Sequence, residues 1–305
     1  MGKRQLLVMI LVLACFLSAL AYFVSKSVIH KEKAKVEKQP KEISLPVSVT
    51  KEVAPKPEKK VVVVPAKEAQ EKEEIMALIK NLENPDWKIV QASLDKLAVF
   101  GKRAVPLLRD SLKGASLGLK GQITFLLGRI GDKEAVPELV EETKDENAYI
   151  RANAVEALGK INDKQAIPDV TKTLFDDDAV VRQRSAAALG QLNDPKTVGI
   201  LLNRMTDEKN YTVKTTVVET LGELKDESAT TLLLQELSSR ANQTYKNTVV
   251  FSLGEIADPK ALPALTEYLD KLKQYQPTEV MLTFELDEAI RIAEEAIAKI
   301  QNRNK

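Results

Sequence analysis

The chain offers few side chains for the commonest kinds of enzyme chemistry. His30 is the single histidine and Cys15 the single cysteine among 305 residues. Sites that need two imidazoles or several thiolates are therefore excluded, and so is a disulfide within the chain. Residues 68–305 contain neither residue type, which excludes serine–histidine and cysteine–histidine catalysis there. The sequence predicts a protein that is not an enzyme and holds no cofactor or metal ion.

Carboxylates are the remaining side chains that could do chemistry, and three stand in a row at Asp176, Asp177 and Asp178. Adjacent carboxylates can bind a cation. They can also occupy a turn and cap the following helix, because an aspartate side chain accepts hydrogen bonds from the free N–H groups of a first helical turn. We favour capping as the interpretation of these three residues.

Basic and acidic residues are separated along the chain, although its net charge is only +1. Residues 1–67 carry 13 basic and 5 acidic side chains, a net charge of +8, and the remainder carries 32 and 39, a net charge of −7. An acidic body repels a phosphate backbone, and aromatic residues for base stacking make up only 5% of the chain. Nucleic acid is therefore not an expected partner.

The body is built from a sequence repeat, which a Leu-Gly pair marks at spacings of 31, 31, 32 and 32 residues. The pairs are Leu127-Gly128, Leu158-Gly159, Leu189-Gly190, Leu221-Gly222 and Leu253-Gly254. Four residues after each glycine stands an aspartate: Asp132, Asp163, Asp194, Asp226 and Asp258. Eight residues before each glycine stands a cation: Lys120, Arg151, Arg182, Lys214 and Lys246. Several columns in register over five units indicate a repeat architecture.

Each repeat contains the pattern of two helices. In the third unit, apolar residues follow the spacing of one helix face from Ile150 to Ile161. Asp163, in the turn that follows, can cap the next helix. The recurring glycine either lets a neighbouring helix approach closely or ends the first helix. About six such pairs predict an all-α solenoid over residues 68–305.

The repeat resembles HEAT-like repeats of the short subtype named after phycobilisome lyases. The third unit carries the pattern as Ile150-Arg151, Ala154, Leu158-Gly159, Asp163 and Ala166-Ile167-Pro168. The resemblance covers about residues 84–272 and implies a right-handed α-α superhelix of the HEAT/ARM type. It implies little about activity, because the family holds binders, scaffolds and a few enzymes. The hydroxylase branch uses paired His-Glu motifs, which this chain lacks.

The aspartate and cation columns have two open interpretations. The cations could form a row that holds an acidic partner. Alternatively, these ten residues form a structural ladder, in which each cation bonds a carboxylate or carbonyl of an inter-helix turn. Asp145, Asp176 and Asp207 precede their cations by six or seven residues, which suits the ladder. We favour the ladder, which the family resemblance also implies.

The candidate binding surface is the face of the first helix of each unit that lies opposite its apolar positions. The resemblance implies that this face is concave. The predicted partner-binding residues are Phe125, Tyr149, Asn153, Glu156, Arg184, Glu219 and Phe251. Phe125 and Phe251 are aromatic where the pattern predicts exposure, and aromatic anchors beside arginine are typical of protein interfaces. An ordinary solvated face is the competing interpretation.

The N-terminus has the sequence of a segment that enters a membrane. Residues 6–24 form an uncharged run of 19 residues after the short basic residues 1–5. A helix of about 20 apolar residues can cross the hydrocarbon core of a bilayer. We expect a single-pass anchor in a bacterial-type cell membrane with the body outside the cytoplasm. Cleavage near Ala21, lipidation at Cys15 and a cytoplasmic body stay open as alternatives.

The segment of residues 25–67 is rich in lysine and proline and lacks an apolar pattern that could build a core. This composition predicts a disordered linker. The whole sequence thus predicts a membrane-tethered scaffold or adaptor that binds a protein partner without catalysis. Two alternatives are lyase- or chaperone-like handling of a bound chromophore or small ligand, and a purely structural envelope spacer.

Overall fold

A computed structural model of the chain describes residues 66–275 and 280–303. Apart from turns, this part is helical throughout. The predicted membrane segment, residues 6–24, and nearly all of the predicted linker lie outside the described residues. Within the described ranges, no helix combines the length and apolar character needed to cross a membrane.

Fourteen α-helices follow one another along the described residues. They are α1 (Ala66–Lys80), α2 (Trp87–Phe100), α3 (Val105–Leu112), α4 (Leu117–Ile130), α5 (Val136–Glu142), α6 (Ala148–Ile161), α7 (Ile167–Thr173), α8 (Ala179–Leu192), α9 (Val198–Asp207), α10 (Tyr211–Leu224), α11 (Thr230–Leu237), α12 (Gln243–Ile256), α13 (Leu262–Gln274) and α14 (Val280–Arg303). Short 3₁₀ turns connect them at Asn81–Glu83, Gly101–Ala104, Lys133–Ala135, Lys164–Ala166, Pro195–Thr197, Glu227–Ala229 and Pro259–Ala261.

The helices form two layers. The even-numbered helices α2 to α14, here called the long helices, contact one another in chain order. From α4 to α12 each has 14 residues. The shorter helices α5 to α13 lie against one side of them, and the apolar core runs between the layers. The last helix, α14, is the longest and runs from Val280 to Arg303.

The recurring glycines are points of close helix approach. A Cβ atom at Gly128 would lie 2.8 Å from the Cα of Ala157, and one at Gly159 would lie 2.9 Å from the Cα of Ala188. The helices continue for two residues beyond these glycines. Of the two interpretations left open by the sequence, the first therefore holds for this column, and helix termination is the task of later residues.

Separate residues begin and end the long helices. Side chains that accept a first-turn N–H precede helices α2 to α12: Asp86, Ser116, Asn147, Asp178, Asn210 and Asn242. Left-handed backbone ends helices α4 to α12: Gly131, Asn162, Asn193, Lys225 and Ala257. The aspartate column caps the 3₁₀ turns instead of the following α-helices, as Asp163 does by accepting from the Gln165 N–H at 3.0 Å.

The long helices run parallel to one another. Tyr149, the second residue of α6, lies against Gly121 near the start of α4, and Ala157 near the end of α6 lies against Gly128 near the end of α4. Contacts in this order require that both helices point the same way. The repeat therefore places the N-terminal ends of the long helices along one edge of the solenoid.

Candidate protein interface

The side of the long helices that faces away from the short helices is here called the long-helix face. All seven predicted partner-binding residues lie on it. Tyr149, Phe125 and Phe251 are 60%, 45% and 48% exposed. Glu219 is also exposed, whereas Asn153, Glu156 and Arg184 are partly buried. The helical period places these residues together because their neighbours on the opposite side of each helix are buried in the core.

Each phenylalanine of the long-helix face lies beside a lysine of the next long helix. The Lys160 ammonium is 5.5 Å from the centroid of the Phe125 ring, and the Lys299 ammonium is 5.0 Å from that of Phe251. Cations at this distance are attracted to the ring face. The lysines leave roughly half of each ring open to solvent. Sequence reasoning missed Lys299 as a member of this face.

Ion pairs cross from helix to helix on the same face. Arg184 pairs with Glu156, whose carboxylate also accepts from Lys160 at 2.6 Å. Arg129 pairs with Asp95 at 3.0 Å. Two predicted binding residues, Glu156 and Arg184, therefore bind each other. This leaves the phenylalanines as the stronger candidates for contact with a partner.

Glu219 lies in a different electrostatic environment from these acids. Within residues 66–275 and 280–303 it forms no ion pair with a cation. Although the residue is exposed, the surrounding protein partly shields the Glu219 carboxylate from water, and this desolvation together with the negative charge of Glu223 raises its pKa. It lines an open cleft of about 310 Å³ whose other walls include Gln183, Thr216 and Tyr245. This cleft is polar and could accept hydrogen-bonding or cationic groups of a partner.

The predicted ladder cations lie near the start of the long helices and reach the turns between units, whereas the predicted ladder aspartates lie in the turn inside each unit. Arg151 donates through Nε to Asp176 of the next turn at 2.7 Å and through Nη1 to the Asp145 carbonyl at 2.9 Å. Arg182 repeats this arrangement one unit later with Glu208, at 2.9 Å. These bonds tie each unit to its successor, as a structural role requires.

Lysines occupy the same ladder position in the other units. Lys120 pairs with Asp145 at 2.6 Å, and Lys214 pairs with Glu236 at 2.7 Å. Lys246 forms no ion pair in the part of the chain that the structure describes. The prediction of Asp207 as a ladder acid differs from the structure, because Lys214 reaches the next short helix and not its own turn.

Glu208 is the best-buried acid of the ladder, with a side chain only 1% exposed. Burial alone would raise the pKa of Glu208. Hydrogen bonds from Arg182, from the Asn210 N–H and from Arg204 outweigh burial and lower this pKa to about 2. The Glu208 carboxylate is therefore charged at neutral pH, and the hydrogen bonds from Arg182 and Arg204 stabilise this buried charge.

The three adjacent aspartates have distinct structural tasks. Asp176 accepts from Arg151, and its pKa is lowered by that bond despite the opposing effect of burial. Asp178 caps α8 by accepting the Val180 and Val181 N–H groups at 2.8 and 3.2 Å. Asp177 is exposed. Among the described residues, no group of three or more acidic or other ligating side chains could hold a metal ion.

Comparison with protein families finds known repeats over much of this architecture. Residues 111–190 and 167–241 match the family described as HEAT repeats. Residues 247–271 match the family described as PBS lyase HEAT-like repeat. A search of curated proteins gives no match to this chain.

Solved structures with similar folds are distant in sequence. Importin beta is 16% identical with a TM-score of 0.55, over 76% of this chain and 36% of importin beta. Kap121p bound to Ste12p is 14% identical with a TM-score of 0.55, over 78% of this chain and 31% of Kap121p. The complex of CpcE and CpcF of phycocyanin lyase from Nostoc sp. is 18% identical with a TM-score of 0.44, over 86% of this chain and all of that chain (100%).

These structural likenesses show the fold alone, and this chain spans about a third of importin beta and of Kap121p. The family matches agree with the glycine contacts, the paired layers and the tied turns of the described residues. The chain therefore contains HEAT repeats over residues 111–241 and a PBS-lyase-type HEAT-like repeat over residues 247–271, and its described helices form a HEAT-type solenoid.

Proposed function

We propose that this protein binds a protein partner on its long-helix face and does so without catalysis. The observation that carries the proposal is the pair of half-exposed rings, Phe125 and Phe251, at equivalent positions of two repeats. A lysine lies over each ring, and about half of each phenylalanine stays exposed to solvent. Aromatic side chains are enriched at protein interfaces, where a few anchor residues carry most of the binding energy.

The surroundings of the two rings support this proposal. Between them lie the Glu156–Arg184 pair and the cleft at Glu219, so the face offers both apolar anchors and hydrogen-bonding groups. The Kap121p solenoid, which is similar in fold, is bound to Ste12p in its solved structure. With the predicted anchor at residues 6–24 and the linker after it, the partner would be held near a membrane.

The proposal is tested by in vivo cross-linking and co-purification with the double variant Phe125→Ser/Phe251→Ser. Both rings are half-exposed, so we expect the fold to persist and the recovered partner to be lost. Phe175→Ser is the matched control, because Phe175 is 49% exposed but lies in the turn after α7. Recovery of the same partner with the double variant would overturn the proposal.

A second candidate function is the handling of a small ligand, which one cavity favours. It measures about 600 Å³ and lies beside α12, α13 and α14, with Tyr268, Leu272, Tyr275 and Leu286 in its walls. This volume suits a small organic molecule. Recovery of a bound small molecule with the purified chain, and of no protein from the cross-linking experiment, would favour this second function.

A further inference from the structure

Exposed apolar side chains recur along one edge of the solenoid. They occupy the first or second position of five successive long helices, and we call them the edge row: Trp87, Leu117, Tyr149, Val180 and Tyr211. Their exposed fractions are 71%, 50%, 60%, 51% and 55% in that order. Single exposed apolar residues are ordinary, whereas a repeated row of them marks an interaction surface.

The members of the edge row lie along one edge of the solenoid because the long helices run parallel and begin there. Tyr149 lies against Gly121, which is one helical turn after Leu117 on the preceding long helix. The absent side chain of Gly121 therefore leaves room for the Tyr149 ring next to Leu117. At the far end, the Tyr211 ring packs edge-on against Tyr245, with centroids 5.8 Å apart.

Fixed negative charges flank the centre of the edge row. Glu146 and Asp177 are exposed and stand just before the caps of α6 and α8. Their backbone carbonyls accept from Arg151 and Arg182 at 3.0 and 2.8 Å, which holds both turns in place. In the ranges that the structure describes, neither carboxylate forms an ion pair. Both are therefore available to a basic group beside Tyr149 and Val180.

The spacing between members of the edge row indicates which conformation a bound peptide would have. Packed helices lie about 8–10 Å apart, so successive members of the row repeat at about that distance. A polyproline II segment places every third side chain on one side, with a repeat of about 9.3 Å. A β-strand repeats every second side chain, at about 6.7 Å, and does not match this spacing.

We propose that the edge row binds a polyproline II segment of a protein partner, with proline at every third position and lysine or arginine between the prolines. The proposal rests on the proposed function in one respect, that the occupant is part of a protein. Proline rings pack on tryptophan and tyrosine, and the preformed segment loses little entropy on binding. The intervening cations would pair with Glu146 and Asp177.

The test uses the full chain and a twelve-residue peptide of four Pro-Pro-Lys repeats. Trp87 belongs to the edge row and is the single tryptophan of the chain, so its fluorescence reports on this site alone. We expect a saturable change in Trp87 emission with this peptide. Four Gly-Ser-Lys repeats have the same charge and length but no polyproline II preference, and we expect them to bind at least about fivefold more weakly.

Substitutions locate the bound peptide. Tyr149→Ser and Tyr211→Ser each remove an exposed ring of the edge row, and we expect each to weaken Pro-Pro-Lys binding at least about fivefold. Phe125→Ser/Phe251→Ser, on the long-helix face, should leave peptide binding unchanged. Circular dichroism of each variant shows whether its helices are intact.

Three results would overturn the proposal. One is an unchanged Trp87 emission with Pro-Pro-Lys repeats, and another is equal binding of the two peptides, which would mean attraction by charge alone. The third is tighter, Tyr149-dependent binding of a Leu-Lys amphipathic helix of the same length, which would mean a helical occupant. If one of these three results is obtained while Phe125→Ser/Phe251→Ser still loses its cross-linked partner, this inference is wrong and the proposed function stands without it.

Discussion

The charge of Glu208 links the ladder to the stability of the fold. Its folded pKa of about 2 lies below the ordinary value of 4.5. Stability from this group is therefore present above about pH 4.5 and is lost as the pH falls toward 2. The shift corresponds to about 3 kcal/mol at neutral pH.

We predict that Glu208→Gln lowers the free energy of unfolding by about 3 kcal/mol at pH 7, with the difference from wild type falling to roughly half by about pH 3. Urea denaturation of both proteins between pH 3 and pH 7 measures this difference in the free energy of unfolding. Glu267→Gln is the control, because Glu267 pairs with Lys271 in an exposed position and should change stability little. A pH-independent loss in Glu208→Gln would contradict the charge assignment.

Individual residues also show what the sequence could not reveal. The repeat pattern places Phe125 and Phe251 on an outward face, where the structure has them half-exposed. It does not show that Lys299 lies beside Phe251, because the pattern of one helix does not determine which side chain of the next helix contacts it. It also misses the Glu156–Arg184 pair, since nothing in the spacing of a single helix specifies contacts between neighbouring helices.

At the scale of helices, the glycine column allows neighbouring long helices to pack closely against each other. A Cβ atom at Gly159 would lie 2.9 Å from the Cα of Ala188, a backbone atom that cannot move aside freely. We predict that Gly159→Ala lowers the free energy of unfolding by about 2 kcal/mol, because overpacking outweighs the gain in helix propensity.

Gly199 provides the matched control for this prediction. It also lies in a helix, α9, but a Cβ atom added there would have no neighbour within 4 Å. Gly199→Ala should therefore raise the free energy of unfolding by about 0.5 kcal/mol through helix propensity alone. Urea denaturation compares the two variants, and a change of the same sign in both would show that helix approach is not the task of Gly159.

The sequence predicts the two-helix unit well because the Leu-Gly pair, the aspartate and the cation all recur with the same period. Local details within the unit escape it. The aspartate column caps the 3₁₀ turns that precede the short helices. An aspartate caps a 3₁₀ turn and an α-helix in the same way, so the residue type alone does not distinguish the two. The left-handed residues Lys225 and Ala257 carry no sequence signal, because glycine or asparagine is the residue expected there.

At the scale of the whole described region, residues 66–275 and 280–303 form a HEAT-type solenoid whose surfaces differ in chemistry. The turns between units are tied by ion pairs, the long-helix face carries aromatic anchors, and the edge row adds a line of apolar side chains. Repetition made the fold predictable from sequence, whereas surface function depends on residues that vary among repeats. A partner is therefore best identified by experiments that probe the surface residues that vary among the repeats.

Site-specific photo-cross-linking tests the central claim most directly. Benzoylphenylalanine is placed at position 125 or 251 on the long-helix face, or at position 172, where Lys172 is exposed on the short helix α7. Binding on the long-helix face predicts that positions 125 and 251 cross-link the same protein and that position 172 does not. A partner captured from position 172 but from neither phenylalanine position would contradict the account.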